Sequence, residues 1–225
     1  MSYAFQFGAV WAYTDLIAGG AIETLRLSAI TMAVGLLIGI VGAMMRTGRI
    51  APLRWAAAVY VEAIRNTPLL IQLFVVFLGL PSVGLRFTAA QAAVIALSIN
   101  LGAYATEIVR AGIESVRRNQ VEAGLALGMS GLQVFRYVVL FQALKAIYPA
   151  LASQFVLLLL ATSLVSQIGA DELFHVGGFI DSRTFRSFEV YAVVTAAYLL
   201  MAVAFRALFA GIYLLVFDRR SWARA

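Results

Sequence analysis

Cysteine is absent from this chain of 225 residues, and charged residues are scarce. Without cysteine the protein can form no disulfide, no thiolate metal site and no cysteine nucleophile. Only 12% of the residues are charged, 63% are hydrophobic, and the mean hydropathy is +0.92. A soluble domain carries about twice that share of charge. The composition therefore excludes an ordinary soluble protein and indicates an integral membrane protein.

Long apolar stretches occur five times along the chain, which contains only four prolines. Each stretch has about 20 residues, enough for a helix that crosses the hydrocarbon core of a bilayer. The five stretches cover roughly residues 22–45, 55–80, 89–109, 145–167 and 190–217. They predict an all-α integral membrane protein with five transmembrane helices, folded as a single domain over residues 1–225.

Basic residues outnumber acidic residues by 17 to 11, and the isoelectric point is near 10. Such a balance also occurs in nucleic-acid-binding proteins. Here, however, eleven of the Lys and Arg residues fall in one set of connections between the stretches and three fall in the opposite set. This asymmetry predicts an N-terminus outside the membrane, a cytoplasmic C-terminus and no nucleic-acid partner.

The connection between the third and fourth stretches, about residues 117–141, is cytoplasmic in this orientation and has the signals of a short capped helix. Asn119 is a good N-cap, and the Glu122 carboxylate three residues later can reach back to the cap amide. Gly128 supplies the left-handed residue that ends a helix predicted over about 120–127. A helix of two turns is marginal in water by itself, so it needs a partner to hold it.

The remainder of this connection favours close packing. Ser130 and Gln133 form a second capping box, which is predicted to open another helix. Val121 and Leu125 are i, i+4 neighbours and give the first helix a small apolar face. The small residues that permit close backbone approach are Ala123, Gly124 and Gly128. The element is either a turn that ties the third span to the fourth or a helix that docks on another protein.

Three motifs resemble one family, the permease subunits of ABC-type importers. EAG at 122–124, followed by Gly128, is similar to the EAA loop of that family. RNTPLLIQ at 65–72 resembles the Arg-Gly-Thr-Pro signature of its polar amino-acid uptake branch, and TSLVS at 162–166 is a third match. The resemblance covers about residues 16–220.

Two positions depart from the family pattern. Phe141 stands where the family has proline, so the break in that helix is expected elsewhere, at Pro149. Leu160-Ala161 replaces the Lys-Asp that precedes the TSL run in many relatives. The intramembrane acid of relatives that handle cationic amino acids is therefore missing, which disfavours a purely basic substrate.

The resemblance implies that the protein lies in the bacterial cytoplasmic membrane, in contact with its lipid, and works with protein partners. In such importers the loop helix sits in a groove on a separate ABC ATPase. We expect two ATPase subunits that bind ATP and Mg, a second permease subunit, identical or homologous, and an extracytoplasmic amino-acid-binding protein. The chain lacks a G-x4-G-K-[ST] motif, so it is expected to be no enzyme and to bind no cofactor itself. The implied ATPase-coupling residues are Asn119, Val121, Glu122, Ala123, Gly124, Leu125, Gly128 and Ser130.

Uncharged polar groups within the spans are candidates for a substrate pathway, because polar groups in a membrane are expensive without a partner or a role. They are Asn66, Thr67, Gln72, Asn100, Thr162, Ser163, Ser166 and Gln167. Serine and threonine hydroxyls in membrane helices often bond their own backbone instead. The amides Gln72 and Asn100 are therefore the stronger candidates. The expected substrate is a polar amino acid or a close derivative such as an opine.

A long connection at about residues 169–188 lies on the outer side in this orientation. In the family this side meets the binding protein, although a solvated loop would have the same composition. The docking candidates are Asp171, Glu172, Arg183 and Arg186. His175 is the single histidine, and no second ligand stands at a suitable spacing, so no metal site is expected.

Charged and small residues inside the spans give three further predictions. Two i, i+3 ion pairs are expected, Glu62 with Arg65 and Glu107 with Arg110. Arg206 lies within the fifth span, where it either snorkels or pairs with a neighbouring subunit. A G-xxx-G face is formed by Gly35, Gly39 and Gly42. It is predicted to pack against another helix of this chain rather than against a second chain.

Two other function classes compete with an importer subunit. An ion-driven secondary transporter would want an unpaired acid near the membrane midplane and paired repeats with broken helices. The acids instead cluster toward the span ends, and five spans do not divide into equal halves. A membrane scaffold that transports nothing is the third class. The importer hypothesis accounts for more of the sequence than either.

Overall fold

The computed structural model describes residues 4–218, and every regular element within that range is helical. Four of the five predicted spans are single long helical runs, and the second is a bent pair. A short helix, Gly8–Trp11, precedes them. The spans are Thr14–Thr47, Ala51–Arg65 with Leu69–Val83, Ala89–Glu114, Gly131–Ile168 and Ser187–Phe217, here called spans one to five. The Arg118–Ala126 helix between spans three and four is the loop helix, and its side of the bundle is the loop face.

Span two is broken where a continuous helix was predicted. Its two halves meet at an angle of 107° across Pro68. Proline disfavours helical backbone at the residue before it, so the first helix ends before Thr67. The side chains of the break satisfy the helix end: Asn66 Nδ2 donates to the Glu62 carbonyl at 2.8 Å, and Thr67 Oγ1 donates to the Ala63 carbonyl at 2.9 Å.

Span four begins much earlier than predicted, at Gly131, and the break expected at Pro149 is wrong. The run passes through a π-helical turn at Phe135–Val139 and an α-helix at Leu140–Ala161, and it ends in a 3₁₀ segment at Thr162–Ile168. Pro149 lies inside the α-helix, because a proline removes only one N–H and neighbouring packing tolerates that loss in a membrane helix.

The predicted outer loop is largely a helix. Leu173–Thr184, here called the return helix, packs between spans one and five on the side opposite the loop face. Glycines permit the close approach: a Cβ on Gly20 would lie 3.0 Å from Leu173 Cα, and one on Gly177 would lie 2.8 Å from Val194 Cγ2.

The most extensive helix contact in the described bundle joins span one to span three. A Cβ on Gly35 would lie 2.7 Å from Leu101 Cδ2, and Gly39 faces Ala105. Because the contacted residue number increases along span three as it increases along span one, the two helices run parallel. The predicted G-xxx-G packing within this chain is confirmed, and Gly42 extends it by facing Thr106. The main core, where spans two, three and four meet, contains Leu73, Leu97, Leu101, Leu158 and Val165.

We predict that Gly39→Ala lowers the free energy of unfolding by about 1–3 kcal/mol, because the new methyl group would overlap Ala105 and force the spans apart. Thermal unfolding of the purified protein in detergent measures the change. Gly19→Ala in the same helix is the matched control, since nothing lies within 4 Å of a Cβ at that position. Equal stability of the two variants would contradict the proposed role of the seam.

Candidate functional site

The loop helix begins earlier than its sequence signals predict. It spans Arg118–Ala126, and Arg117 occupies the N-cap position without a side-chain cap. The N-cap assigned to Asn119, with its capping box to Glu122, is therefore wrong. Arg118 stands four residues before Glu122, and its Nε donates to Glu122 Oε1 at 2.8 Å. The carboxylate therefore forms an i, i+4 ion pair instead of accepting from a cap amide.

The far end of the loop helix agrees with prediction. Gly128 has a φ of +79°, the left-handed conformation expected of a helix stop. The Ser130 capping box is confirmed: Gln133 N donates to Ser130 Oγ at 3.4 Å, and Ser130 N donates to Gln133 Oε1 at 2.7 Å. The loop helix is thus joined to span four by a short turn, which starts at the left-handed Gly128 and ends at the Ser130 capping box.

The two faces of the loop helix have different neighbours. Val121 packs against a buried cluster around Val134 and Val139, whereas Leu125, its partner in the predicted apolar face, is exposed. A Cβ on Gly124 would lie 3.1 Å from Val134 Cγ2, so this glycine permits a contact within the chain rather than with a partner.

A group of leucines points outward beside the loop helix. Leu125 is 51% exposed, Leu127 is 82% exposed and Leu132 is 77% exposed. We call these three residues the leucine rim. Leu127 and Leu132 were missed by the sequence reasoning, although two leucines flanking a capped turn would have been a usable signal. Large apolar side chains this exposed next to a short helix are typical of a protein contact.

Charged side chains cluster at the end of span three, just before the loop helix begins, and we call this cluster the base. Arg110 Nη2 lies 2.7 Å from Glu107 Oε2, as predicted, and Arg110 also pairs with Glu114. Arg46 Nε at the end of span one lies 3.3 Å from Glu107 Oε1, which ties span one to the base. These groups are partly buried, so solvent screens them less than a surface pair.

The second predicted ion pair, between Glu62 and Arg65, is wrong. The Glu62 carboxylate accepts from Asn66 Nδ2 at 3.0 Å. The Arg65 guanidinium lies 5.3 Å from the centroid of the Tyr104 ring, in a cation–π contact. The bend after Arg65 directs this side chain toward span three rather than back along its own helix.

Three of the predicted pathway residues form one connected group at the bend of span two. Asn100 Nδ2 donates to Gln72 Oε1 at 3.0 Å, and Gln72 Nε2 donates to Thr67 Oγ1 and to the Ile64 carbonyl, both at 2.8 Å. Asn100 also lines a cavity of about 200 Å³ together with Tyr104 and Gln154. Gln154 was missed, although an amide in the middle of an apolar span was the available signal.

The polar residues at the end of span four divide into two groups. Thr162 is fully buried and donates to the Leu159 carbonyl at 2.7 Å, so its assignment to a pathway is not supported by any opening beside it. Ser163 lines a cavity with Tyr191 and Thr195, whereas Ser166 and Gln167 line another beside the return helix. Asn66 stays at the end of the first half of span two, bonded to Glu62.

The four predicted docking residues do not form one surface. Asp171 is exposed and lies 3.6 Å from His175 Nε2. Glu172 is 0% exposed, so its assignment to binding-protein docking is wrong; its carboxylate caps the return helix instead. The Arg183 guanidinium lies 5.3 Å from the Phe179 ring centroid.

The last docking candidate, Arg186, lies just before span five, whereas Arg206 lies within that span. Arg186 Nη1 donates to the Ala4 carbonyl at 3.3 Å and lies 3.8 Å from Glu189 Oε1. Arg206 is exposed beside a cavity of about 400 Å³ that Tyr148 and Tyr213 also line, between spans four and five.

Comparison with known families decides what this bundle is. Residues 25–222 match the family described as the inner membrane component of binding-protein-dependent transport systems. The chain belongs to this family. It is therefore a multi-pass membrane component of such a transport system and not its enzyme, since ATP hydrolysis in these systems takes place on a separate subunit.

Relatives of this transport component carry names for amino-acid uptake. It is 37% identical to the L-cystine transport system permease protein of Bacillus subtilis over 194 residues, 86% of this chain and 82% of that protein. It is also 37% identical to the glutamine transport system permease protein of Escherichia coli over 203 residues, 88% of this chain and 92% of that protein.

Solved structures share the fold. A chain of an amino acid ABC transporter crystallised with histidines is 38% identical, with a TM-score of 0.88 over 97% of this chain and 100% of that chain. A chain of the MetNI methionine ABC transporter in an inward-facing conformation has a TM-score of 0.75 over 91% of this chain and 98% of that chain. At 20% identity the second likeness concerns the fold alone.

We predict that Gly128→Ala destabilises the end of the loop helix by about 1–2 kcal/mol, because a Cβ strains the left-handed backbone at that position. Hydrogen–deuterium exchange of the backbone amides of the loop helix measures the effect, and it should become faster. Gly131→Ala is the matched control, because it has open space around its Cβ position and no positive φ. Unchanged exchange in Gly128→Ala would contradict the assigned strain.

Proposed function

We propose that this chain, as one domain over residues 1–225, is the permease subunit of an importer that moves a polar amino acid, or a close derivative such as an opine, into the cytoplasm. The observation that carries the proposal is the leucine rim beside a helix of nine residues, Arg118–Ala126, whose inner side packs on the buried apolar cluster around Val134. Such a helix is too short to be stable without partners, and its outward side still has exposed apolar surface.

The loop face is the cytoplasmic face in this proposal, and the N-terminus is outside. The excess of Lys and Arg on the loop-face connections supports the assignment. Arg46, Arg110 and Arg118 lie at that end of the described bundle. Arg219, Arg220 and Arg224, which were counted on the same side, lie outside the described residues.

Two ATPase subunits would receive the loop helices of this chain and of a second permease subunit, identical or homologous. ATP and Mg belong to those ATPases, where nucleotide binding draws the two subunits together. The leucine rim would supply the apolar contact, and the exposed Glu122–Arg118 pair would lie at its edge. Because Glu107 joins Arg46 to Arg110, a pull on the loop helix reaches spans one and three together.

The cavity beside Asn100 is the proposed path for cargo released from the binding protein. Its polar lining, Asn100, Tyr104 and Gln154, contains no charged side chain. Amides can donate to an α-carboxylate and accept from an α-amino group, so this lining suits a neutral polar amino acid. The names of the cystine and glutamine relatives agree with that substrate class.

Reconstitution tests this function directly. The chain is co-expressed with its genomic neighbours for an ATPase and a binding protein, purified as a complex and placed in vesicles. We expect uptake of a neutral polar amino acid that requires ATP on the ATPase side and the binding protein on the other. Uptake that stops with a proton ionophore while ATP remains high would instead establish an ion-driven transporter.

We predict that Leu127→Glu lowers the amount of ATPase co-purified with this chain by about tenfold or more, because a carboxylate replaces an apolar contact in the rim. Affinity purification through a tag on this chain, followed by quantification of the ATPase, measures the loss. The matched control is Leu85→Glu, since Leu85 is 53% exposed on the opposite face. Loss of ATPase in both variants, or in neither, would contradict the rim assignment.

We predict that Asn100→Ala lowers uptake by about tenfold, because it removes an amide from the cavity and leaves Gln72 Oε1 without its donor. Uptake of labelled amino acid into vesicles that contain equal amounts of complex measures the effect. Ser98→Ala, two residues away in the same span, is the matched control because Ser98 is buried and lines none of the cavity. Normal uptake by Asn100→Ala would remove this cavity from the pathway.

A further inference from the structure

A buried carboxylate marks the start of the return helix. Glu172 is 0% exposed, and its Oε1 accepts from His175 N at 2.7 Å while Oε2 accepts from Phe174 N at 2.9 Å. The hydroxyl of Tyr198 in span five donates to the same Oε2. One carboxylate thus receives hydrogen bonds from two different helices.

Two threonines complete the contact. Leu173 N, at the first residue of the return helix, donates to Thr24 Oγ1 of span one at 3.1 Å. The hydroxyls of Thr24 and Thr162 also interact with the Tyr198 hydroxyl. We call Thr24, Thr162, Glu172 and Tyr198 the buried node. It joins span one, span five, the 3₁₀ end of span four and the return helix at one point.

The buried node lies deep in the bundle. Thr24 and Tyr198 are each about three turns, roughly 16 Å, from the first residues of spans one and five. The prediction that acids cluster toward the span ends is therefore wrong for Glu172. A buried carboxylate is strongly unfavourable unless hydrogen-bond donors surround it, so each donor of the node contributes to its stability.

The return helix covers the polar end of span four. Phe174 and His175 line the cavity that Ser166 and Gln167 also line, and Phe174 lines the one beside Ser163. At its other end the helix stops at Phe185, a non-glycine residue with a φ of 54° and a side chain that is 85% exposed. The helix is pinned at its deep end and ends at the surface in a strained turn.

We propose that Glu172 is a positioning residue that locks the deep end of the return helix to spans one and five, so that these elements and the polar end of span four move as one unit. The inference rests on the proposed function, because the unit would be driven from the loop face through span one. Span one carries the Thr24 contact at one end and the Arg46 pair at the other. The node therefore relates ATP-driven motion to the return helix, which covers the polar end of span four.

The hydrogen bonds of the node explain why it would fix the relative positions of these helices, which apolar packing alone would not. Apolar side chains can slide past one another in a membrane, whereas hydrogen bonds fix both distance and register. Removal of one partner leaves another buried polar group unsatisfied, so each lost hydrogen bond weakens the contact by more than its own share.

The experiment measures substrate moved per ATP hydrolysed by the complete reconstituted complex. For Glu172→Leu we expect this ratio to fall by about fivefold or more while ATP hydrolysis continues, because the cover no longer follows the driven spans. Glu172→Gln keeps an acceptor for the helix amides and should recover part of the ratio. Tyr198→Phe removes one donor and should give an intermediate loss.

The matched control is Glu23→Gln, which neutralises the carboxylate next to Thr24 that pairs with Arg26 at the exposed surface of span one. Its ratio should equal that of the wild type. If Glu172→Leu lowers uptake and hydrolysis in equal proportion, with the ratio unchanged, Glu172 has only a structural role and the proposal is overturned.

A second variant and the wild-type complex make the test decisive. If Glu172→Leu does not fold, Tyr198→Phe decides, and an unchanged ratio in that variant overturns the proposal. Failure of the proposed function is seen separately, since the wild-type complex would then show no ATP-dependent uptake at all. A wild type that couples normally, together with node variants that couple equally well, rejects the lock alone.

Discussion

The close seam between spans one and three is the contact on which the other arrangements depend. Gly35 and Gly39 allow the backbone of span one to lie directly against Leu101 and Ala105. In a membrane there is little hydrophobic force between helices, so short backbone distances and good packing hold them together. Once this register is set, the charged ends of both spans are brought side by side, and Arg46 reaches Glu107.

Span one therefore connects the two ends of the molecule. Near its first third it receives the return helix through Gly20 and Thr24, in its middle it packs on span three, and at its end Arg46 pairs with Glu107 of span three. A single straight helix of 34 residues is about 50 Å long, enough to relate events on opposite faces of a bilayer. The proposed coupling and the proposed lock share this one element.

Two irregular segments of the bundle lie where polar side chains gather. The bend at Pro68 gathers Thr67 and Gln72, and the 3₁₀ end of span four gathers Ser163 and Ser166. Backbone that leaves the helical pattern inside a membrane needs hydrogen-bond partners from side chains or from a polar cavity. The hydroxyls of Thr67, Ser163 and Ser166 donate to backbone carbonyls there. The sequence shows that these polar residues are present but not which groups they bond.

Local patterns predicted most of the fold but little of the detailed site. Long apolar stretches, the Ser130 capping box and the Gly128 stop depend on residues near one another in sequence, and each was recognised correctly. The Asn119 cap failed because Arg117 and Arg118 extended the helix backward. Glu172 looked like a surface residue because charge alone does not reveal that a neighbouring helix will cover it.

What the amino-acid order determined by itself is the number of spans, the short helix between the third and fourth, and the membrane character of the chain, because these follow from apolar length and from caps a few residues apart. Tertiary structure alone decided which polar groups meet: Asn100 with Gln72 across 28 residues, and Thr24 with the start of the return helix across 149. Such pairs depend on helix tilt, bend and register, which arise only when the spans pack against one another.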